Sequence, residues 1–443
     1  MNDAGDAAAT GPEPSAATDL PRATRNRILM YLGALTLMVA FGAPFGGLIS
    51  LPVTYFLKNR LHFTAVQVSE FLLITGAPLY FSALWGFVRD SWNPFGIRDR
   101  GYMILFGFIC AAVYVIAAFV PVTPIGLAGA MILLSAAFMF VHAGQVGLAA
   151  SIGRQHVMSG QISALWYAVS SIPLLAAYAA GGFLSNALEG KQAELAARIL
   201  FLTGGAVLTA IAAFALWRPR VVFDNVRDEQ PVAVDLLKNI QRLLRYWPIY
   251  PAMLIWCLWN FSPGAGTPLQ FFLQNTLHAD DATFGLYAAV QAGFFIPTYL
   301  IYGVLCRRVR LGKLIFWGTL IGVPQLVPLL FIHSPSAAVL LAAPTGLMGG
   351  ICTAAFFDLI IRSCPDGLEG TTIMMSTALS FVVGRLGDLL GTYLYSHFGG
   401  FGVCVAAITL TNLMILLVIL IVPKRLLATA DGETPVAASS SAG

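Results

Sequence analysis

Long apolar runs alternate with short polar stretches marked by proline and glycine along almost the whole chain. Twelve runs can be drawn, at 28–57, 64–88, 101–120, 125–150, 161–184, 198–217, 248–274, 283–305, 314–332, 337–360, 372–396 and 402–422. Crossing a hydrocarbon core takes about 20 apolar residues per helix, and a barrel would show short alternating segments instead. The pattern therefore predicts an all-α integral membrane protein. The longest hydrophilic stretch, residues 218–248, falls between the sixth and seventh runs, and its second part has the apolar spacing of an amphipathic surface helix. The organisation expected is a six-helix bundle at 26–217, a linker at 218–247, a second six-helix bundle at 248–425, and disordered tails at 1–25 and 426–443.

Composition agrees: 58% of residues are hydrophobic, 10% are charged, and the mean hydropathy is +0.79. The net charge of +4 would suggest nucleic acid only if the basic residues shared one face, and they lie instead in short loops. With the N-terminus placed inside, 20 of the 25 Lys and Arg residues fall on that same side. The positive-inside rule then puts both termini in the cytoplasm. Lys58, Arg60, Lys191 and Arg198 fall in outer loops, and Arg385 lies inside an apolar run. The six cysteines form no CxxC pair, so neither a disulfide framework nor a zinc site is expected, and no cofactor is implied.

An internal repeat supports the division into halves. YFLKNRLHFTAVQVSEF (55–71) and FFLQNTLHADDATFGLY (271–287) match at Phe56/Phe272, Leu57/Leu273, Asn59/Asn275, Leu61/Leu277 and His62/His278, an offset of 216 residues. Each copy follows a stretch rich in small residues, GAPFGG (42–47) or SPGAGTP (262–268). Two tandem six-helix halves resemble the major facilitator type of alternating-access transporter.

The turn LWGFVRDSWNPFGIRDRGY (84–102) is the most polar short stretch between two apolar runs. Its Gly86, Asp90, Arg98 and Arg100 resemble the glycine, aspartate and basic residues after the second helix in that superfamily, with NPFG inserted. Together with RSCPDGLEGT (362–371) and YFLKNRL (55–61), the turn resembles the folate-biopterin transporter family; muropeptide permeases and acetyl-CoA carriers have related turns. The resemblance implies that Asp90 stabilises the outward-open state against the first turn of helix eleven, near Gly370 and Thr371. Chemically, Asp90 is expected to accept hydrogen bonds from Arg98 or Arg100 and from free N–H groups at that helix start. The repeat offers Arg307 four residues after Gly303, so such a latch is expected in the first half only, with the second turn meeting lipid phosphate or another acidic surface.

Charges at bilayer depth cost about 2.5 to 3.5 kcal/mol each and call for a partner or a wet cavity. Helix eleven carries Arg385 and Asp388, and helix two carries Glu70; helix rise puts them about 16, 12 and 9 Å from the outer ends. A Glu70–Arg385 pair modulated by Asp388 is expected to close the outer side in the inward-open state. The alternatives are an anion and proton site built from the same groups, or a structural Arg385–Asp388 pair. His142 and Gln145 in helix four are candidates for proton relay or for interhelical hydrogen bonds. Asp358 and Arg362 read as an i,i+4 anchoring pair. In helix seven, Trp256, Trp259, Asn260, Gln270 and Gln274 surround a proline and glycine break and are candidates for lining a cavity.

No HExxH, GxSxG or phosphate-loop pattern and no ATPase segment is present, which argues against an enzyme or a primary pump. The function expected is a secondary transporter for a small organic, pteridine- or folate-like solute, proton-coupled, monomeric and lipid-embedded in a bacterial inner membrane. A non-transporting assembly factor or sensor of the same fold is the alternative.

Overall fold

The computed structural model describes residues 20–45, 53, 57, 61–63, 65–119, 123–189, 193–223, 236–279 and 281–433. The N-terminal tail to residue 19, Gly46, Gly47, Lys58, Arg60, Lys191, most of the first part of the linker and residues 434–443 lie outside that set.

Among the described residues, nine helices are long and apolar enough to cross a membrane. They are helix three (Asp99–Phe119), four (Pro124–Gln155), five (Ser159–Glu189), six (Ala193–Leu216), eight (Asp281–Leu305), nine (Leu311–Gly322, continued by a 3-10 turn at Val327–Phe331), ten (Pro335–Ser363), eleven (Glu369–His397) and twelve (Phe401–Ile419). The other three predicted runs fail the test for local reasons. Helix one (Arg22–Gly42) begins with three arginines. Helix two is broken into Ala65–Thr75, Ala77–Tyr80 and Ser82–Ser91. Helix seven stops at Asn260, loses its ladder through the SPGAG stretch, and resumes at Thr267–Phe271 before a π turn at Phe272–Thr276. All twelve predicted segments are represented by helix among the described residues, and the predicted surface helix is Leu236–Arg245.

The repeat is visible in the backbone. Phe63 N–H donates to Leu57 C=O at 3.0 Å, and Ala279 N–H donates to Leu273 C=O at 2.9 Å, each position displaced by the repeat offset. Both wide turns put a histidine in the left-handed region, His62 at φ 52° and His278 at φ 55°. Between the halves, helix two packs on helix eleven and helix eight packs on helix five.

Burial changes along the helices that meet between the halves. From Glu369 to Ala378, every residue of helix eleven is buried or half-buried, whereas beyond Phe381 only the glycines Gly387 and Gly391 are buried. Helix four is buried almost without interruption from Val141 to Gly153 and bare at Pro124–Gly126; helix ten is buried from Ala354 to Ile361. A helix surrounded by protein at one end and bare over much of its circumference at the other lies where two bundles meet at one end and splay at the other. The joined end carries Arg89, Arg154 and Arg362, and is called the basic end below.

Two ring clusters sit at the junction. Phe357 of helix ten meets Tyr167 of helix five at 5.3 Å, Trp166 at 6.1 Å and Trp256 of helix seven at 6.2 Å, and Tyr167 meets Tyr299 of helix eight at 5.4 Å. Phe45 touches Phe138 of helix four and Phe381 of helix eleven at 5.6 and 6.2 Å. Such pairs add about 0.5 to 1.5 kcal/mol each beyond the area they bury.

Candidate functional site

The basic-end contact between helices two and eleven is built around two glycines. A Cβ on Gly86 would lie 2.5 Å from the Gly370 carbonyl oxygen, so only glycine lets the two backbones meet there. One turn on, Asp90 reaches the start of helix eleven. Its Oδ1 accepts from Gly370 N–H at 3.2 Å, and its Oδ2 accepts from Thr371 N–H at 2.7 Å and from Thr371 Oγ1–H at 2.6 Å. These amides have no partner inside their own helix, and the helix dipole favours a negative group at this end. The Asp90 side chain is 1% exposed.

The cation beside Asp90 differs from the one expected. Arg89 Nη1 donates to Asp90 Oδ1 at 2.7 Å, while its Nε and Nη2 grip Asp99 at 2.5 and 2.7 Å. Neither Arg98 nor Arg100 forms a hydrogen bond or an ion pair with Asp90. The inserted NPFG explains this. Pro94–Gly96 forms a 3-10 turn, Phe95 and Arg98 adopt φ of 59° and 49°, and Asn93 Oδ1 accepts from Arg98 N–H at 2.6 Å. The extra turn carries Arg100 to the end of helix six, where it donates to Ala215 and Leu216 C=O at 2.8 and 2.7 Å and lies 5.3 Å over the Phe223 ring. Asp99, at the start of helix three, takes the arginine-binding place. Helix four accommodates this with glycine as well, because a Cβ on Gly147 would overlap the Arg89 guanidinium.

A second ion cluster joins the halves nearby. Arg154, in the last turn of helix four, donates to Glu369 of helix eleven and to Asp366 of the preceding turn. Both acids stand in the RSCPDGLEGT stretch, so the signal was present in the sequence, but nothing local distinguished them from loop charges. The Asp358–Arg362 pair exists, with Nε to Oδ1 at 2.8 Å, yet it is buried rather than interfacial: the Asp358 side chain is 0% exposed. Tyr302 O–H donates to it at 2.8 Å, and Ser159 Oγ accepts from Arg362 Nε at 3.1 Å.

At the splayed end the three intramembrane charges are not assembled. Asp388 is bound to helix seven: its Oδ1 accepts from Thr267 N–H at 2.7 Å and its Oδ2 from Thr267 Oγ1–H at 2.8 Å. It thereby caps the helix segment that restarts after the break, and the purely structural Arg385–Asp388 pair is absent. Arg385 and Glu70 are both exposed, and neither forms an ion pair among the described residues. Gly391 completes the seam, because a Cβ there would overlap Pro263.

The interior candidates separate into committed and uncommitted groups. Gln145 Nε2 donates to Thr36 Oγ1 of helix one at 3.0 Å, an interhelical tie. The His142 ring lies 6.3 Å from Phe138 and 5.7 Å from Trp166, and its buried Nδ1 has no hydrogen-bond partner among the described residues. Trp256 donates to Ser376 C=O and Trp259 to Thr353 Oγ1, each at 3.0 Å, so both indoles tie helix seven to its neighbours. Asn260 Nδ2 folds back on Trp256 C=O at 2.8 Å, and Gln270 is half-buried in the restarted segment.

Part of the tail expected from residue 426 departs from expectation: the backbone at Thr429, Asp431 and Gly432 is bonded to the bundle, and the Asp431 side chain is 0% exposed.

Comparisons with known proteins agree with this architecture. The fold resembles the human organic anion transporter MFSD10 (TM-score 0.63, 14% identity, 90% of this chain and 100% of that one). It also resembles the major facilitator transporter FucP in its outward conformation (0.62, 13%, 89% and 98%) and a bacterial homologue of the iron transporter ferroportin in an outward-facing state (0.63, 15%, 89% and 98%). In sequence, the chain is 24% identical over 366 residues to a folate-biopterin transporter of Synechocystis sp., covering 77% of this chain and 71% of that protein. The BT1 family model matches residues 45–333. The chain therefore belongs to the BT1 family of folate-biopterin transporters and is a multi-pass membrane transporter of the major facilitator type for a small molecule.

Proposed function

We propose that the chain moves a small organic anion of pteridine or folate type across a bacterial inner membrane by alternating access, coupled to protons. The observation that carries this reading is the joining of the halves at the basic end through Asp90 and the first turn of helix eleven, with the same helices bare at the other end. Two bundles held by a few charge-assisted hydrogen bonds at one end can exchange that contact for another at the opposite end. Both termini and the basic end are assigned to the cytoplasm by the positive-inside distribution of Lys and Arg. The state described here is then outward-facing, with Gly86 and Asp90 acting as its latch.

Arg385 is the substrate-anion receptor in this reading. It is a permanent cation at membrane depth, exposed at the splayed end with no acidic partner among the described residues, and a guanidinium matches a carboxylate edge in two hydrogen bonds. Glu70 closes on Arg385 as the outer ends approach. Asp388 positions the broken helix seven against helix eleven, and His142 supplies a site for the coupled proton. The test is uptake of labelled folate into proteoliposomes with and without an inward proton gradient. Accumulation that needs Arg385 supports the reading; wild-type uptake by Arg385→Ala protein that reaches the membrane in normal amount refutes the receptor.

A further inference from the structure

The second half has no acid where the first has Asp90, yet the helix start that would need one is capped. Helix five packs on helix eight as helix eleven packs on helix two, and its first turn offers Gly160 and Gln161 as helix eleven offers Gly370 and Thr371. Asp431, from the segment after helix twelve, supplies the missing carboxylate. Its Oδ1 accepts from Gly160 N–H at 3.2 Å and its Oδ2 from Gln161 N–H at 2.9 Å, the same division between two oxygens that Asp90 makes. The close approach is also repeated: a Cβ on Gly160 would lie 2.7 Å from Cys306 Cβ, as one on Gly370 would lie 2.7 Å from Asp90 Oδ1.

The segment is bonded to both halves. On the second-half side, Arg362 Nη2 donates to Asp431 Oδ1 at 2.9 Å, Arg362 Nη1 to Thr429 C=O at 2.9 Å, and Asp431 N–H to Cys306 C=O at 2.9 Å. On the first-half side, besides the two helix-five amides, Gly432 N–H donates to Val157 C=O at 2.8 Å. A tail held by one half would be carried along unchanged as the halves rock. One hydrogen-bonded to both must release at least one of them when this end opens.

We propose that the segment Thr429–Gly432 is a detachable second latch, in which Asp431 replaces the aspartate that helix eight lacks and holds the basic end closed until the tail leaves the first turn of helix five. The proposal deepens the alternating-access reading and rests on it. It makes the C-terminal tail a control point, since whatever engages or removes the tail changes the balance between the two open states.

The test places a spin pair at the splayed end, Leu73→Cys on helix two and Leu389→Cys on helix eleven, both exposed side chains, in the full-length protein in nanodiscs. Asp431→Ala is compared with Asp90→Ala and with Glu433→Gln, whose carboxylate accepts only from Ala430 N–H within the tail. The expected result is that Asp431→Ala enriches the short-distance population at least several-fold, as Asp90→Ala does, while Glu433→Gln leaves it unchanged. An Asp431→Ala distribution matching the unsubstituted protein, beside a shifted Asp90→Ala, overturns the tail latch and leaves alternating access intact. If neither variant shifts, both readings fail. A measurement that leaves Asp431 in place covers the case of a misfolded Asp431→Ala protein. The thiol of Ala430→Cys, at a position 2% exposed in the docked tail, should react several-fold faster with a water-soluble maleimide when Asp90→Ala opens the basic end, and an unchanged rate in that opened protein overturns the proposal.

Discussion

Asp90→Asn is the most informative single change at the interface between the halves. The carboxylate accepts three hydrogen bonds from helix eleven and one from Arg89, and it does so with its side chain 1% exposed. The amide keeps one acceptor oxygen, enough for Thr371, and turns its NH2 toward both Gly370 N–H and Arg89, which share Oδ1 of the carboxylate. About two charge-assisted hydrogen bonds are lost, each worth about 1.5 to 3 kcal/mol. Arg89 retains its two bonds to Asp99, which offsets part of the loss. A net change of about 3 kcal/mol in the closed basic end corresponds to a shift of roughly 100-fold between the two open states. The assay is the distance distribution between labels at Leu73→Cys and Leu389→Cys, with thermal melting as the check on folding. The expected result is a new short-distance population at the splayed end in a protein that still folds. A folded Asp90→Asn protein with the unsubstituted distribution would refute the latch, because no other residue in the described first-half turn bonds the helix-eleven amides.

Further outcomes follow from the same geometry. Gly86→Val should reproduce the Asp90→Asn shift without touching any charge, since its Cβ must displace the Gly370 carbonyl; unchanged labelling of Leu73→Cys would contradict the close-approach argument. Glu70→Gln should favour the state open at the splayed end by weakening its closure on Arg385, seen as faster maleimide labelling at Leu389→Cys, and equal rates would remove Glu70 from the gate. The Asp431 carboxyl is pushed up to about 6 by burial, with Asp358, itself bonded by Tyr302, raising it further and Arg362 opposing; the Cys306 thiol and the uncharged first turn of helix five complete its surroundings. A carboxyl whose value is raised from the ordinary 3.9 or so on docking binds its proton more tightly when docked. That added stability is complete below about pH 4 and lost as pH rises through about 6, so maleimide labelling of Ala430→Cys, normalised at each pH to the denatured protein, should be slower at pH 5 than at pH 8.

The sequence made the helices legible because each had to hide its backbone from hydrocarbon in a run of apolar residues, and the first break in helix two, at Gly76 before Pro78, and the break in helix seven coincide with glycine and proline. The latch was half legible. Gly86 and Asp90 stand at a spacing that puts them one turn apart on one face, and Gly370 and Thr371 open a helix. Which arginine serves Asp90 was not legible, because the choice between Arg89 and Arg98 or Arg100 depends on the φ values of the inserted turn rather than on distance along the chain. Arg154 with Glu369 and Arg362 with Asp431 are separated by dozens to hundreds of residues, and a single sequence carries no mark that joins them. Asp431 was hidden more thoroughly: ATADGETP has the composition of a free tail, and only the vacancy at the end of helix eight gives it a purpose. The tryptophans of helix seven stand beside its break as cavity-lining candidates, but each indole N–H at membrane depth needs an acceptor, and Ser376 and Thr353 supply it.

Alternating access is tested most directly by fixing the basic end shut. Arg154 and Asp366 touch across the halves there, so Arg154→Cys and Asp366→Cys can be joined through two reducible disulfides by a short bis-methanethiosulfonate reagent, which releases sulfinate, in proteoliposomes loaded for counterflow of labelled folate. Bridging should stop counterflow and a reductant should restore it to the rate of the unbridged protein. Counterflow that continues undiminished through the bridged protein would contradict the account.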